Sequence, residues 1–502
     1  MKSTIKFAIL LMAFGLLTSC GEDWLDVNTD PNNPTSVSPD LVLPVAQLYT
    51  STVEQQDRRL NSLGNMLMYN WSQSDGFAWY PDEFKYNVTS SFYQYIFNYT
   101  YSLALKQYQI LFNLEEGYDY YRAISMIMKA YHFQLMVDCY GDVPYSEALG
   151  RSLEATPVYD DAQTIYEDLI VQLTAAINLI KSADEDAQLA LPSGDDAMFG
   201  GEMDEWIKFA NTVKLRILVR QSNMSGRDTY IQAEIDAINA EGSGYITSDV
   251  GVNPGFIALE EGKQNYMWNS LGWDASGTQT LSSRATCATD YVIDYLTATN
   301  DPRIDYIYEL PDDGHKGVPQ GLLDYDTPIP DQYMPEFVSN IGPGILKSAD
   351  MDAIIFTRAE CYFNQAELAN KGFITVADGG QALYESGITA SFEYLGLDAT
   401  DASTYYSQVK DLVGWNSSSN KIEAIITQKW IAVNGITAEQ SWFDYTRTGY
   451  PSGLPLPLNY SKTTDRPVRL FYPAGEYSSN GENVPAQNDP MIAFTDKIFW
   501  AN

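Results

Sequence analysis

The sequence predicts a mostly α-helical protein of stacked helix pairs carrying a loop-rich portion, and three observations predict it. Apolar residues recur at steps of three or four over several long segments, the spacing that lines one face of a helix. One such stripe is rich in alanine, which lets a neighbouring helix approach closely. Long Gly-, Pro- and Asn-rich stretches separate the periodic segments. With 45% hydrophobic and 13% aromatic residues among 502, the chain can bury a substantial core.

Residues 1–19 read as an export signal. Lys2 and Lys6 form a basic start, Phe7 to Leu17 are apolar, and small residues precede Cys20. The apolar run is shorter than the roughly 20 residues of a membrane helix, so it does not serve as a lasting anchor. Leu17-Thr18-Ser19-Cys20 resembles the bacterial lipobox, which makes Cys20 the expected lipidation site. Several acyl chains, at about 0.8 kcal/mol per buried CH₂, hold a protein to a leaflet far better than one. Glu22 and Asp23 directly after the cysteine resemble the surface-export signal of Bacteroidetes lipoproteins, favouring the outward face of the outer membrane. Residues 20–40 are then a tether and extended lead-in, since Val27 to Thr35 contain two prolines and three asparagines. Residues 41–502 form a single body, with irregular insertions mainly at 241–350 and 450–502.

Within the body, Tyr120, Ile124, Ile127, Tyr131 and Leu135 mark one helix. Asp160, three residues before Gln163 in a spacing like the capping box, opens a second with Ile165, Leu169, Leu173 and Ile177. Trp206, Phe209, Val213 and Ile217 mark a third. The alanine-rich stripe Ile355, Ala359, Tyr362, Ala366 and Ala369 marks a fourth. Ile422, Ile425, Lys429 and Trp430 mark a fifth, running toward Asn434-Gly435, where glycine supplies a left-handed cap. The spacing is too uneven for a regular 34-residue repeat.

The net charge of −36 argues against nucleic acid and against electrostatic attachment to an anionic membrane, because phosphate contacts need clustered Lys and Arg. The excess acid reads as a solubility device. Apart from Cys20 only Cys139, Cys287 and Cys361 remain, without metal-like spacing, and they read as small buried hydrophobes or inert thiols. His132, between Tyr131 and Phe133, reads as a core histidine, and His315 as a solvated loop residue. No G-x-S-x-G, H-E-x-x-H, Walker or dinucleotide motif is present.

Ordered motifs along the chain carry a family resemblance. Trp24-Leu25-Asp26-Val27-Asn28-Thr29-Asp30-Pro31-Asn32 follows the lipobox cysteine. Val137-Asp138-Cys139-Tyr140-Gly141-Asp142-Val143-Pro144-Tyr145, and Trp206-Ile207-Lys208-Phe209-Ala210-Asn211 with Lys214, Arg216 and Arg220, come next. Asn300-Asp301-Pro302-Arg303, Arg358-Ala359-Glu360, Gln428-Lys429-Trp430 and Trp442 to Pro451 complete the set. Together they resemble the SusD-like (SusD/RagB) nutrient-binding outer-membrane lipoproteins of the Bacteroidetes; a cysteine at 139 is a mild departure. The resemblance implies a SusD-like scaffold of tetratricopeptide-like helix pairs with a packed loop-rich portion. It also implies a lid over a SusC-like TonB-dependent transporter barrel that captures a nutrient, usually a glycan and sometimes a peptide, without being an enzyme.

Aromatic loops supply the candidate ligand site. Residues 69 to 108 hold fourteen aromatics, and the stretch with Trp71, Asp75, Phe77, Trp79 and Tyr80 is too rich in Gly, Ser and Pro for a helix interior. A flat indole or phenol offers its face to the C–H surface of a sugar ring while nearby carboxylates and amides bond the hydroxyls. Tyr266, Trp268 and Trp273, with Asp274, repeat this chemistry in a second loop. Phe92, Tyr95, Tyr99 and Leu103 recur at helical spacing and read as core. The same platforms suit a peptide's side chains. A surface glycoside hydrolase is the remote alternative, since any two of the 66 acidic residues could in the fold lie at catalytic distance. Asp312-Asp313-Gly314 reads as an acidic turn, with calcium as its alternative use; no cofactor is otherwise expected. Arg216 and Arg220 share a helix face and, like the Asp301–Arg303 and Asp444–Arg447 pairs, read as structural ion pairs.

Overall fold

The chain folds as the helical periodicity predicts, and helix ends are set by local chemistry. The computed structural model describes residues 38–150, 155–322, 331–458 and 465–501; Cys20, the export signal and most of the lead-in lie outside them. Helix α1 (Pro39–Gln55) starts on a proline, tolerated in the first turn because no carbonyl awaits its missing N–H. Helix α2 (Leu60–Leu67), strand β1 (Trp71–Gln73) and the short α3 (Pro81–Phe84) follow. Helices α4 (Tyr95–Tyr99) and α5 (Lys106–Phe112) are joined by a π-helical stretch, Thr100–Leu105. Here the expected core stripe is corrected. Tyr95 is 46% exposed, whereas Tyr93, Ile96, Phe97, Thr100, Ala104 and Leu105 are buried beside Phe92. A segment aromatic on every side shows no single stripe, and the wider π turn rotates the face that follows it. The exposed ring of Tyr95 and the half-buried ring of Tyr99 instead receive the Arg59 guanidinium, 5.0 and 4.8 Å from their centroids.

Helix α6 (Asp119–Tyr140) buries Ile124, Ile127, Tyr131 and Leu135 as expected and stops at Gly141, whose φ of 79° only glycine adopts freely. A ribbon of β2 (Val143–Pro144) and β3 (Tyr159–Asp160) leads to α7 (Ala162–Ser182). Its cap is Asp161, which accepts from the Thr164 N–H at 2.8 Å. Asp160 lies in β3 and instead accepts from the Tyr145 and Ser146 N–H groups, tying down the opposite turn. Helices α8 (Met203–Gln221) and α9 (Asp228–Glu241) follow, then β4 (Val250–Val252). The stretch 241–350, expected to be irregular, carries short elements: α10 (Tyr266–Leu271), α11 (Leu281–Ala285), β5 (Thr286–Ala288), α12 (Asp290–Ala298) and α13 (Ile304–Ile307).

Strand β6 (Ala353–Phe356) pairs antiparallel with β4 and takes Ile355 out of the expected fourth helix. Thr357 separates them, its hydroxyl capping α14 (Arg358–Asn370) through the Glu360 N–H. Helices α15 (Gln381–Leu395), α16 (Ala399–Tyr406), α17 (Lys421–Ala432) and α18 (Glu439–Thr448) follow, and the short α19 (Ala474–Ser479) and α20 (Ile492–Thr495) close the chain. Asn420 caps α17, while Gly435 supplies its positive φ three residues past the helix end, in the turn toward α18.

Helices α5 to α8 pack successively, as do α14, α15 and α16, with α17 on α14 and α15. The alanines of α14 are buried as expected, and Gly387 of α15 meets Phe363 so closely that an added Cβ would lie 2.8 Å from its ring. The two stacks meet where α8 packs on α14 and α2 on α18. At the second crossing a Cβ on Gly64 would stand 2.0 Å from the Glu439 nitrogen, so only glycine permits that backbone contact. His132 is buried, with Nε2 2.9 Å from the Thr50 hydroxyl, and burial pushes its pKa down to about 3. Cys139, Cys287 and Cys361 are buried free thiols. His315 is not simply solvated: its ring bridges Ser339 and Asp305 at 3.0 and 2.8 Å.

Buried ion pairs join the stacks. Arg220 of α8 reaches Asp138 of α6 at 3.3 Å and Asp444 of α18 at 3.0 Å. Asp444 also takes Lys429 of α17 at 2.8 Å and Arg447 at 2.9 Å, and Arg447 pairs with Glu367 of α14. Burial pushes the Asp444 carboxyl up, but Lys429, Arg220 and Arg447 outweigh it and hold it below the usual carboxylate range. Arg303 likewise grips Asp301 through two nitrogens, at 2.9 and 2.6 Å. Replacing Arg220 by Met leaves the buried Asp138 carboxylate without its cation and takes one of three from Asp444, and is expected to destabilise the protein by about 3–5 kcal/mol in urea unfolding. A loss below about 1 kcal/mol would show that the network does not hold the stacks together.

Candidate functional site

Strand β1 is buried along its whole length and pairs antiparallel with β5, in the register Trp71 to Ala288 and Gln73 to Thr286. This pairing corrects two of the expected ligand residues. Trp71 is 1% exposed, and its carbonyl accepts from the Gln320 side chain at 2.7 Å. Tyr80 is fully buried, its hydroxyl 2.7 Å from that of Thr286 and its ring edge-on to Phe84. Neither can offer a face to a ligand in this fold: Trp71 lies in a strand covered on both sides, and Tyr80, just before α3, is enclosed by Thr286 and Phe84. They form the frame beneath the loop.

The loop itself, 75–79, stands at the surface. Gln73 shapes it from within: its amide donates to the Phe77 carbonyl at 2.8 Å and its oxygen accepts from the Trp79 N–H at 2.9 Å. Asp75 donates its N–H to the Tyr333 carbonyl at 2.7 Å, and its carboxylate accepts from Gly76. The half-buried Trp79 packs edge-on against Phe77, with centroids 6.3 Å apart. Its carbonyl accepts from Arg58.

The second cluster is organised by a cap and a tight turn. The Asn265 side chain accepts from the Met267 and Trp268 N–H groups and starts α10, whose first turns carry Tyr266 and Trp268. At Gly272 an added Cβ would stand 2.8 Å from the Trp268 carbonyl, so the chain folds back and brings Trp273 onto Trp268. The two indoles are half-buried, with centroids 4.9 Å apart and planes tilted by 39°. Trp273 bridges to Gln279, and Asp274 closes the turn by accepting from the Ser276 and Thr278 N–H groups. Tyr266 is half-buried and packs edge-on with Phe256.

Helix α11 brings the clusters together. The Ser74 N–H and hydroxyl bond the Ala285 and Arg284 carbonyls at 2.9 and 2.6 Å, fixing the first loop to it. On the other side α10 packs on α11, and the Thr280 hydroxyl that caps α11 through Ser283 N–H also donates to the Ser270 carbonyl. A crevice of about 270 Å³ adjoins, lined by Gln279, Arg284, Glu309, Glu336 and Asn340 among others. It presents amides, carboxylates and a guanidinium, the groups that pair with hydroxyls. Sequence reading missed Tyr333, Glu309 and Glu336, which long-range contacts bring to this face, among them the Cys287–Asn340 and Tyr308–Ile341 bridges and the Asp75 bond to Tyr333. No local spacing marks them. Among the described residues no group of three or more His, Cys, Asp or Glu could hold a metal ion, Asp312 and Asp313 included.

The family model described as starch-binding associating with outer membrane matches residues 31–473, and the chain belongs to this SusD-like family. A chitin-binding SusD homolog from Flavobacterium johnsoniae aligns with a TM-score of 0.76 at 20% identity, over 92% of this chain and 98% of its own. A chitin-binding protein aligns with a TM-score of 0.75 at 23% identity, over 93% of this chain and 100% of its own. A SusD-like protein from Bacteroides thetaiotaomicron aligns with a TM-score of 0.72 at 21% identity, over 92% and 99%. The fold is therefore the SusD-like helical scaffold. No curated protein matches the chain. Among the described residues no helix is long and apolar enough to cross a membrane.

Two measurements test this account of the loop. Trp71→Ala is expected to destabilise the protein by about 3–5 kcal/mol in urea unfolding, as for a buried tryptophan elsewhere; a surface-like loss below about 0.5 kcal/mol would place it outside the frame. Glu83, which follows the loop, accepts from the Tyr93 hydroxyl at 3.1 Å, and burial pushes its pKa up to about 7 against a backbone hydrogen bond and Arg58. A raised carboxyl pKa favours the protonated folded state. The contribution is full below the unfolded value of about 4.3 and is lost as pH rises through 7. Glu83→Gln should therefore flatten the fall in stability between pH 4 and 8; an unchanged slope would show that Glu83 is charged in the fold.

Proposed function

We propose that the protein is a cell-surface lipoprotein, tethered through Cys20 to the outer membrane, that captures an oligosaccharide and acts as the lid of a SusC-like TonB-dependent barrel. The observation that carries the glycan reading is the Trp268–Trp273 pair. Two half-exposed indoles with centroids 4.9 Å apart form a continuous curved platform, and a sugar chain stacks its C–H faces on such a surface. The adjoining crevice supplies donors and acceptors for the hydroxyls, and Trp79 with Phe77 extends the aromatic surface beyond α11. The family description as starch-binding and the chitin-binding relatives support the same class of ligand.

Capture here involves no bond making. The aromatic face holds the ligand by stacking and hydrogen bonding, and transport follows from presenting it to the barrel. The experiment is isothermal titration of the protein with maltooligosaccharides, chitooligosaccharides and a peptide digest, alongside Trp268→Ala and Trp273→Ala. Either substitution is expected to weaken glycan binding at least tenfold while leaving the unfolding midpoint within a few degrees of the wild type. Heat with peptides alone would replace glycan by peptide as the ligand, and glycan binding indifferent to both substitutions would move the site. Release of reducing ends, abolished by a single Asp or Glu substitution, would make the protein a hydrolase.

A further inference from the structure

A second cavity, of about 280 Å³, opens between α5, α6, the turn at 145–149 and α7, and shares no lining residue with the aromatic loops. Its walls are mostly apolar, formed by Phe112, Met126, Phe133 and Leu169. The charged groups lining it are Lys129 and Asp168. The Lys129 ammonium lies 4.3 Å from the Phe112 ring centroid and donates to the Gln109 side-chain oxygen at 2.7 Å. Among the described residues it has no carboxylate within ion-pair distance, in a chain with 66 acidic residues to 30 basic ones. Asp168 does not neutralise it. That carboxylate accepts from the Tyr145 hydroxyl and from the Gln172 amide, and burial alone pushes the Lys129 pKa down to about 8. A largely buried cation with only an amide oxygen and a ring face for company is under-satisfied, and an anion entering the cavity would restore what burial removes.

The apolar surface does not stop at this chamber. Ala148 and Leu149 line both it and a neighbouring cavity of about 440 Å³, whose wall sets Phe97, Tyr101 and Pro157 beside the polar Asn98, Glu476 and Asn480. Leu149 adopts a φ of 69°, a left-handed conformation that leucine rarely takes, exactly where the two chambers adjoin. A ligand with a charged head at Lys129 and an apolar tail therefore has a continuous path over this turn.

We propose that the Lys129 cavity is a binding site for an alkyl carboxylate, its carboxylate paired with the Lys129 ammonium and its tail lying against Phe112, Met126, Phe133 and Leu169. Nothing in this arrangement depends on the aromatic face. The test is isothermal titration of the protein with octanoate and, as the uncharged counterpart, octanol. Octanoate is expected to bind, octanol to bind at least tenfold more weakly, and Lys129→Met to lose at least tenfold in octanoate affinity. No heat with octanoate, equal affinity for octanol, or an unchanged affinity in Lys129→Met would each overturn the proposal. A measurement on the unmutated chain guards against misfolding of the variant. Acetylation of Lys129 by an N-hydroxysuccinimide ester at pH 8, followed by peptide mass spectrometry, should slow at least fivefold in saturating octanoate, and acetylation unaffected by octanoate would equally overturn it.

Discussion

The structure depends on a small number of fully desolvated charges placed where helices from distant parts of the chain cross. Asp444 is the centre: Arg220, Lys429 and Arg447 converge on it from α8, α17 and its own helix. Taking such ions out of water is unfavourable by several kcal/mol each, so the arrangement is tolerated only when every partner is in place. That makes it a test of correct assembly more than a source of net stability. Helix faces packed by leucine and alanine tolerate small shifts in register, whereas a guanidinium that must meet Asp138 on one side and Asp444 on the other does not.

The same use of charge changes how the composition is read. Of the 30 basic residues, Arg216, Arg220, Arg303, Arg447 and Lys429 are buried in ion pairs, each with acidic partners that are buried too. Such pairs remove equal numbers from both sides of the ledger, so the exterior keeps the whole excess of acid with fewer cations to dilute it. Neutral ligands such as glycans are not repelled by that field, and anions are. An alkyl carboxylate would have to reach Lys129 against that field and beside Asp168, which lines the same cavity.

Much of the framework was legible because it rests on local periodicity. The stripes through Ile124, Leu169, Phe209 and Ile425 each lie in a helix, and the Asp301–Arg303 and Asp444–Arg447 pairs are structural, as their spacing suggested. Legibility failed where chemistry was uniform or long-range. From Tyr93 to Tyr101 an aromatic stands at every second position, a spacing that marks no single helix face, so periodicity could not say which face turns inward. Trp71 and Tyr80 look like loop aromatics until β5, more than two hundred residues later in sequence, covers them. Trp268 and Trp273 are five residues apart, and their meeting depends on a turn at Gly272 that sequence alone does not announce. Tyr333 and Glu309 reach the aromatic face through long-range contacts, the Asp75 N–H bond to the Tyr333 carbonyl and the Tyr308–Ile341 bridge, which leave no local trace.

Gly64 carries a mechanical implication. With the α2 backbone pressed against the start of α18, and no side chain between them to act as a bearing, one stack has no lubricated surface on which to slide past the other. Force applied to one stack at this crossing then passes directly into the other. Whatever senses an occupied aromatic face from the far helices would have to register displacement of the entire molecule, or contact with the ligand itself, and not a shear inside the protein.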